Sequence, residues 1–263
     1  MSKVYAIANQ KGGVGKTTTA YNVGSALAEL GQEVLIVDLD QQGSLTLCTG
    51  IKPKLLKSGE TIYDVLKSYA FATRQKPPLP MASVIRQVRP HLFLVPANGE
   101  FASFDIEIVS ATERERILRR ALEPLRRRFT ILLDCPPNLG LVVINALAAA
   151  DEVLIPLQTD FLAAQGVTQL IETIEYVQDR LNQELRYAGI LLTQADERTT
   201  HTREIIKQAR KDFAGRVRVF TDVIKLSTRL REAPILGQNI MEYDPDGQAA
   251  AAYRRVAGEL NHA

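Results

Sequence analysis

Val4-Tyr5-Ala6-Ile7-Ala8-Asn9-Gln10-Lys11-Gly12-Gly13-Val14-Gly15-Lys16-Thr17-Thr18 is the stretch on which the fold turns. An apolar run of strand length gives way to a glycine-rich turn, and the turn opens a helical pattern. A strand that ends this way and feeds a helix aims several backbone N–H groups at one point, which makes a phosphate cradle. In the general consensus G-x-x-x-x-G-K-[ST], the lysine reaches the β- and γ-phosphates and the hydroxyl ligates Mg2+. Those places fall on Lys16 and Thr17, with Gly12, Gly13, Val14, Gly15 and Thr18 completing the cradle. Gln10 stands where the first consensus glycine would be, and a second lysine, Lys11, follows it.

Further apolar runs lie at 33–38, 92–96, 129–134, 152–157 and 187–193. They are continuous rather than alternating, as strands buried on both faces of a parallel sheet require. Helical periods lie between them. Ala20, Val23, Leu27 and Leu30 share a face that Gly31 ends, and Val167, Leu170, Ile171, Ile174, Val177 and Leu181 form a second stripe. Ile205, Ile206, Ala209 and Phe213 form a third. This rhythm predicts an α/β fold: a doubly wound, mostly parallel sheet flanked by helices, of the P-loop NTPase kind. Residues 51–90 show no clear period, and Lys76-Pro77-Pro78-Leu79-Pro80 breaks any element, so a loop or insertion is expected there. No linker divides the chain, which predicts one domain over 1–263.

Two apolar strands end in carboxylates, at Val37-Asp38-Leu39-Asp40 and at Ile131-Leu132-Leu133-Asp134. Open α/β sheets bind ligands at the carboxyl ends of their strands, so both sets should meet the phosphate loop. Asp134 is expected to hold Mg2+ together with Thr17, through water. Asp40 is expected near the metal too, placing or polarising the attacking water, with Asp38 one layer behind. Catalysis would then rest on Lys16 and Asp40.

The chain has 263 residues, 46% of them hydrophobic, which suits a sizeable core. A net charge of +2 does not announce nucleic-acid binding, so any such role must be local. Cys48 and Cys135 stand in unrelated contexts, and His91, His201 and His262 are scattered. Those facts argue against a disulfide framework and a zinc site. The start reads straight into a strand, and no segment has the length and apolarity of a membrane span, so a cytoplasmic protein is expected.

The chain resembles the ParA/Soj partition ATPases, within the ParA/MinD class whose phosphate loop carries the extra lysine. The resemblance is carried by residues 8–18 and 37–40, then Asp134-Cys135-Pro136-Pro137 and Asn145-Ala146-Leu147. It continues through Arg229-Leu230-Arg231-Glu232-Ala233-Pro234 and Tyr243-Asp244-Pro245. It implies ATP and Mg2+ as ligands and an ATP-dependent homodimer. Lys11 would cross to the partner's phosphates, which makes it both a nucleotide contact and a catalytic residue. A lysine in trans neutralises phosphate charge and makes pairing depend on the triphosphate. The resemblance also implies a slow intrinsic ATPase, non-specific double-stranded DNA as a ligand, a ParB-like stimulating partner, and a place on the nucleoid. Two departures stand out. The family's usual Asp-Pro-Gln-Gly is Asp40-Gln41-Gln42-Gly43, and its frequent Pro-Arg-Asn is Lys225-Leu226-Ser227. Preference for ATP over GTP rests on the likeness alone.

On the 203–213 helix, Arg203, Lys207, Arg210 and Lys211 lie away from Ile205, Ala209 and Phe213. Such a stripe is either a solvated face or a contact to DNA phosphates without sequence readout. The resemblance favours DNA and adds Arg198 and Arg229; Arg231, this chain's own addition, would extend the patch, as would Arg254 and Arg255. Arg126-Arg127-Arg128 reads as solvated surface. Two other functions compete. A MinD-like membrane-associated protein needs an amphipathic end, and the tail from Gly247 offers only Val256 and Leu260 as large aliphatics. A P-loop metabolic ligase shares the cradle but does not need Lys11.

Overall fold

In the computed structural model, which describes residues 2–160 and 163–262 (163–166 and 262 by their backbone alone), seven strands make one sheet. They are β1 (Val4–Ile7), β2 (Val34–Asp38), β3 (Arg86–Arg89), β4 (Leu92–Val95), β5 (Thr130–Asp134), β6 (Glu152–Gln158) and β7 (Arg186–Thr193). Their order is β3-β4-β2-β5-β1-β6-β7. Every neighbouring pair is parallel except β3 and β4. The chain winds outward from β1 in both directions, which is the expected doubly wound sheet.

The helices are α1 (Lys16–Glu29), α2 (Ser44–Cys48), α3 (Ile62–Ala70), α4 (Phe104–Glu107), α5 (Ile117–Leu122) and α6 (Leu141–Ala149). They continue with α7 (Ala163–Arg180), α8 (Thr200–Asp212), α9 (Arg229–Glu232), α10 (Ile240–Tyr243) and α11 (Gln248–His262). Strand residues alternate between two cores. Val4 and Ala6 face α3, α5, α6 and α7, whereas Tyr5 and Ile7 face α1 and α11. Both faces are covered, so the strands read as unbroken apolar runs. Full burial of each large side chain stabilises by about 1.5–3 kcal/mol, so these central strands dominate the packing.

Gly15 lets α1 start where it does. Its φ of 89° lies in the left-handed region, which costs glycine no Cβ clash. Further along, Gly24 sits against the sheet, where an added Cβ would stand 2.8 Å from Ile36 Cγ2.

Three expectations need correction. Residues 51–90 are not merely a loop, for they contain α3 and the edge strand β3; the 71–80 segment around the prolines is irregular, as expected. Leu30 is not on the buried face of α1 but caps its end, 55% exposed. Arg126 is not free surface, whereas Arg127 and Arg128 are exposed as expected. Arg126 bonds Asp151 and the Ala149 carbonyl, and Arg128 lies over the Phe93 and Phe129 rings.

Candidate phosphate-binding site

The site forms where the loop after β1 meets the carboxyl ends of β2, β5, β6 and β7. Asn9 anchors the loop's start: its side-chain amide donates to the Pro156 carbonyl at 2.7 Å, and its Oδ1 accepts the Lys11 N–H at 3.0 Å. From the other end of the loop, Lys16 Nζ folds back and donates to the Lys11 carbonyl at 3.0 Å. Thr193 and Gln194, at the end of β7, donate to the carbonyls of Val14 and Gly13. Sequence reading did not single out these last two residues; β7 lies far from the loop in the chain, and nothing local marks the contact.

The three aspartates come together as expected, in three different environments. Asp38 and Asp134 are register partners on β2 and β5, and both are fully buried. Asp38 accepts from the Thr46 N–H at 2.8 Å and the Thr46 hydroxyl at 2.7 Å. Burial still pushes its carboxyl up to about 6, against those hydrogen bonds. Neither carboxylate oxygen of Asp134 has a hydrogen-bond partner among the described residues. Burial, with Asp38 adding to it, raises the Asp134 carboxyl well above the usual range; the nearby Thr17 hydroxyl and Lys16 ammonium only partly offset this. Burial likewise lowers the Lys16 ammonium, with Asp134 opposing. Asp40 is half-buried in a turn. Its Oδ1 accepts the Gln42 N–H at 3.0 Å, and the Gly43 N–H closes back to its carbonyl at 2.9 Å. The turn thus survives without the family's proline, because the Asp40 side chain itself makes it.

Lys11 leaves the loop sideways and pairs in cis with Asp160 at the end of β6. Beside the loop lies a cavity of about 220 Å³, lined by Gly13, Gly15, Thr18, Gln194, Lys225 and Ser227 among others. Among the described residues no group of three or more His, Cys, Asp or Glu side chains could hold a metal unaided.

The family described as an AAA domain matches residues 2–187. The sporulation initiation inhibitor protein Soj of Bacillus subtilis is 40% identical over 262 residues, covering 99% of this chain and 98% of Soj. The chain belongs to the ParA/Soj family of partition ATPases. The chromosome partitioning protein ParA of Caulobacter vibrioides is also 40% identical to this family member, covering 98% of the chain and 93% of its own length. Among solved structures, a Mycobacterium smegmatis protein titled cobyrinic acid a,c-diamide synthase, with bound ADP and magnesium, superposes with a TM-score of 0.84. It is 34% identical, over 100% of this chain and 95% of that one. Apo McdA of Cyanothece superposes at 0.85 with 22% identity, over 99% of this chain and 100% of its own, and so shares the fold.

The basic residues of this ParA/Soj chain are not equivalent. Lys207, Lys211 and Arg231 are exposed and make no ion pair among the described residues. Arg203 is exposed and donates to the Thr200 hydroxyl at 3.4 Å. Arg198, its side chain 88% exposed, forks onto Asp196. Arg210 donates to the Thr221 carbonyl at 2.9 Å, and Arg229 pairs with Asp244 at 2.6 Å. Arg254 and Arg255, expected as extensions of the patch, are instead clasped by Glu29 and Asp222.

Proposed function

We propose that this chain is an ATP-dependent DNA-partition ATPase, working as one domain over its 263 residues. ATP binding closes two copies face to face; the dimer holds duplex DNA non-specifically; hydrolysis, stimulated by a ParB-like partner, releases it. The observation that carries this reading is the division of labour between two lysines on one loop. Lys16 stays within its own cradle, whereas the Lys11 side chain leaves it, 37% exposed, to pair with the half-buried Asp160. A triphosphate on a second copy carries more charge and more acceptor oxygens than one carboxylate, which makes it a competitive partner for Lys11.

Lys16 and the N–H groups of residues 12–18 would bind the phosphates. The orphaned, buried carboxylate of Asp134 beside Thr17 fits a cation, and Thr17 with water-bridged Asp134 and Asp40 would hold Mg2+. When bound, the metal neutralises charge on the β- and γ-phosphate oxygens. Asp40, half-buried on its turn, would orient the water that attacks the γ-phosphate, giving ADP and phosphate. Intrinsic turnover is slow because the partner must complete the geometry.

Sedimentation with ATP, ADP or no nucleotide tests the reading. Wild type should dimerise with ATP alone, and Lys11→Ala should bind ATP yet stay monomeric. An ATP-dependent dimer in that variant would remove Lys11 from its role. The solved neighbour titled a synthase keeps the ligase alternative in view; turnover unaffected by dimerisation and DNA would favour it. The membrane alternative loses its basis in α11, whose Tyr253, Val256 and Leu260 are buried against α1. Among the described residues no helix is long and apolar enough to cross a membrane.

A further inference from the structure

Behind the phosphate loop, the end of β7 supplies a brace. Thr193 Oγ1 donates to the Val14 carbonyl at 2.8 Å, and Gln194 Nε2 donates to the Gly13 carbonyl. No peptide bond among the described residues is cis. In a trans peptide the carbonyl and the following N–H point in opposite directions. Holding the Gly13 and Val14 carbonyls toward β7 therefore turns the N–H groups of Val14 and Gly15 away from it. Among the described residues neither N–H meets an acceptor. Oriented, unsatisfied N–H groups on a glycine turn are what an anion needs.

Gln194 reaches this position at a cost. Its φ is 54°, a left-handed conformation that strains a residue with a Cβ by about 1–3 kcal/mol and persists only where its surroundings impose it. They do so here. The next residue, Ala195, donates to the Ile224 carbonyl and accepts from the Leu226 N–H, both at 3.1 Å. On the other side, the Thr193 carbonyl accepts the Thr159 N–H at 3.2 Å. The backbone is thus pinned at both ends of a strained residue whose side chain reaches the phosphate loop.

We propose that Thr193 and Gln194 are positioning residues, fixing the N–H groups of Val14 and Gly15 before a phosphate arrives. The proposal rests on the phosphate-loop reading of Lys16, and its test separates the two. ADP with Mg2+ is titrated calorimetrically into wild type, Thr193→Val, Thr193→Ser, Gln194→Ala, Gln194→Gly and Lys16→Ala. Nucleotide-free melting is recorded for each. Thr193→Val and Gln194→Ala should each weaken ADP roughly five- to tenfold, the size of one lost hydrogen bond. Thr193→Ser keeps the hydroxyl and should retain wild-type affinity.

Gln194→Gly is the decisive variant, because glycine accepts the left-handed backbone without strain. It should melt no lower than wild type and still lose ADP affinity, a combination that a purely structural contact cannot produce. Unchanged ADP affinity in Gln194→Gly and Thr193→Val, with Lys16→Ala impaired, overturns the brace and leaves the phosphate loop standing. Unchanged affinity in Lys16→Ala overturns the phosphate loop itself. A loss in Thr193→Ser equal to that in Thr193→Val removes the hydroxyl from the explanation.

Discussion

Asp38, Asp40 and Asp134 are one residue type in three settings, and the setting decides the chemistry. Asp40 is half-buried and hydrogen-bonded to its own turn. Asp40→Ala should bind ATP but lose roughly 10²- to 10⁴-fold in turnover, the usual contribution of a group that handles a proton in the transition state. The check is phosphate release alongside nucleotide affinity; undiminished turnover would exclude Asp40. Asp38 has a structural duty that its charge alone does not reveal. The Thr46 hydroxyl donates to it while accepting the Ala97 N–H at 3.0 Å, so one hydroxyl links β2 to the segment after β4. Thr46→Val keeps the shape, leaves the Ala97 N–H without its acceptor and takes one of several hydrogen bonds from Asp38, at a cost of about 1–3 kcal/mol in nucleotide-free urea unfolding. At this scale the sequence was partly readable. The motif marks Lys16, Thr17, Asp40 and Asp134, but the Thr46 and Gln194 contacts arise only when distant strand ends meet.

Elements were legible wherever burial on both sides erased alternation. The strands from β1 to β7 stand out as apolar runs for that reason, with β3 the exception. β3 reads Arg86-Gln87-Val88-Arg89, a half-buried antiparallel edge with no apolar run to show. For α3 the signal was present: Thr61 and Asp64 form a capping box three residues apart, ahead of an apolar stripe. The neighbouring proline-rich stretch hides it. On the opposite face, Gly24 of α1 packs so close to β2 that Gly24→Ala must displace a fully buried Ile36. Overpacking of about 1–3 kcal/mol should outweigh the roughly 1 kcal/mol gained in helix propensity. A thermal melt that rises instead would show that helix and sheet can separate cheaply. A pH signature belongs to α3 and α4. Lys67, Ser103 and Tyr63 hold the Glu107 carboxyl down at about 2 from its ordinary 4.5. A depressed acid stabilises the fold above its unfolded pKa, and that contribution fades as pH falls from 4.5 toward 2. The stability gap between wild type and Glu107→Gln should therefore be full near neutral pH and close on acidification across that window.

For the whole molecule, the question is how a chain with a net charge of only +2 would hold DNA. The structure sorts its cations by what already occupies them. Lys207 and Lys211 on α8 are exposed with no ion pair among the described residues, whereas Arg229 is held by Asp244 and Arg254 by Glu29. If the dimer grips duplex DNA through phosphates, the logarithm of affinity should fall linearly with the logarithm of salt. Each lost contact should then lower that slope by about 0.9. Lys207→Ala with Lys211→Ala should weaken binding equally across sequences and flatten the slope, while Arg229→Ala should mainly lower the melting temperature. Arg198 lies between these cases. It is the most exposed of the paired arginines, but its guanidinium forks onto Asp196 two residues away. A phosphate would have to displace that carboxylate, so Asp196→Asn should tighten ATP-dependent DNA binding and steepen the salt slope by about 0.9 per protomer. On the proposed reading, in which the patch acts only when two copies present it together, the same substitution without ATP should change nothing. A slope that steepens equally without nucleotide would mean that each copy binds DNA alone, and the dimer would then have to be sought in a different role.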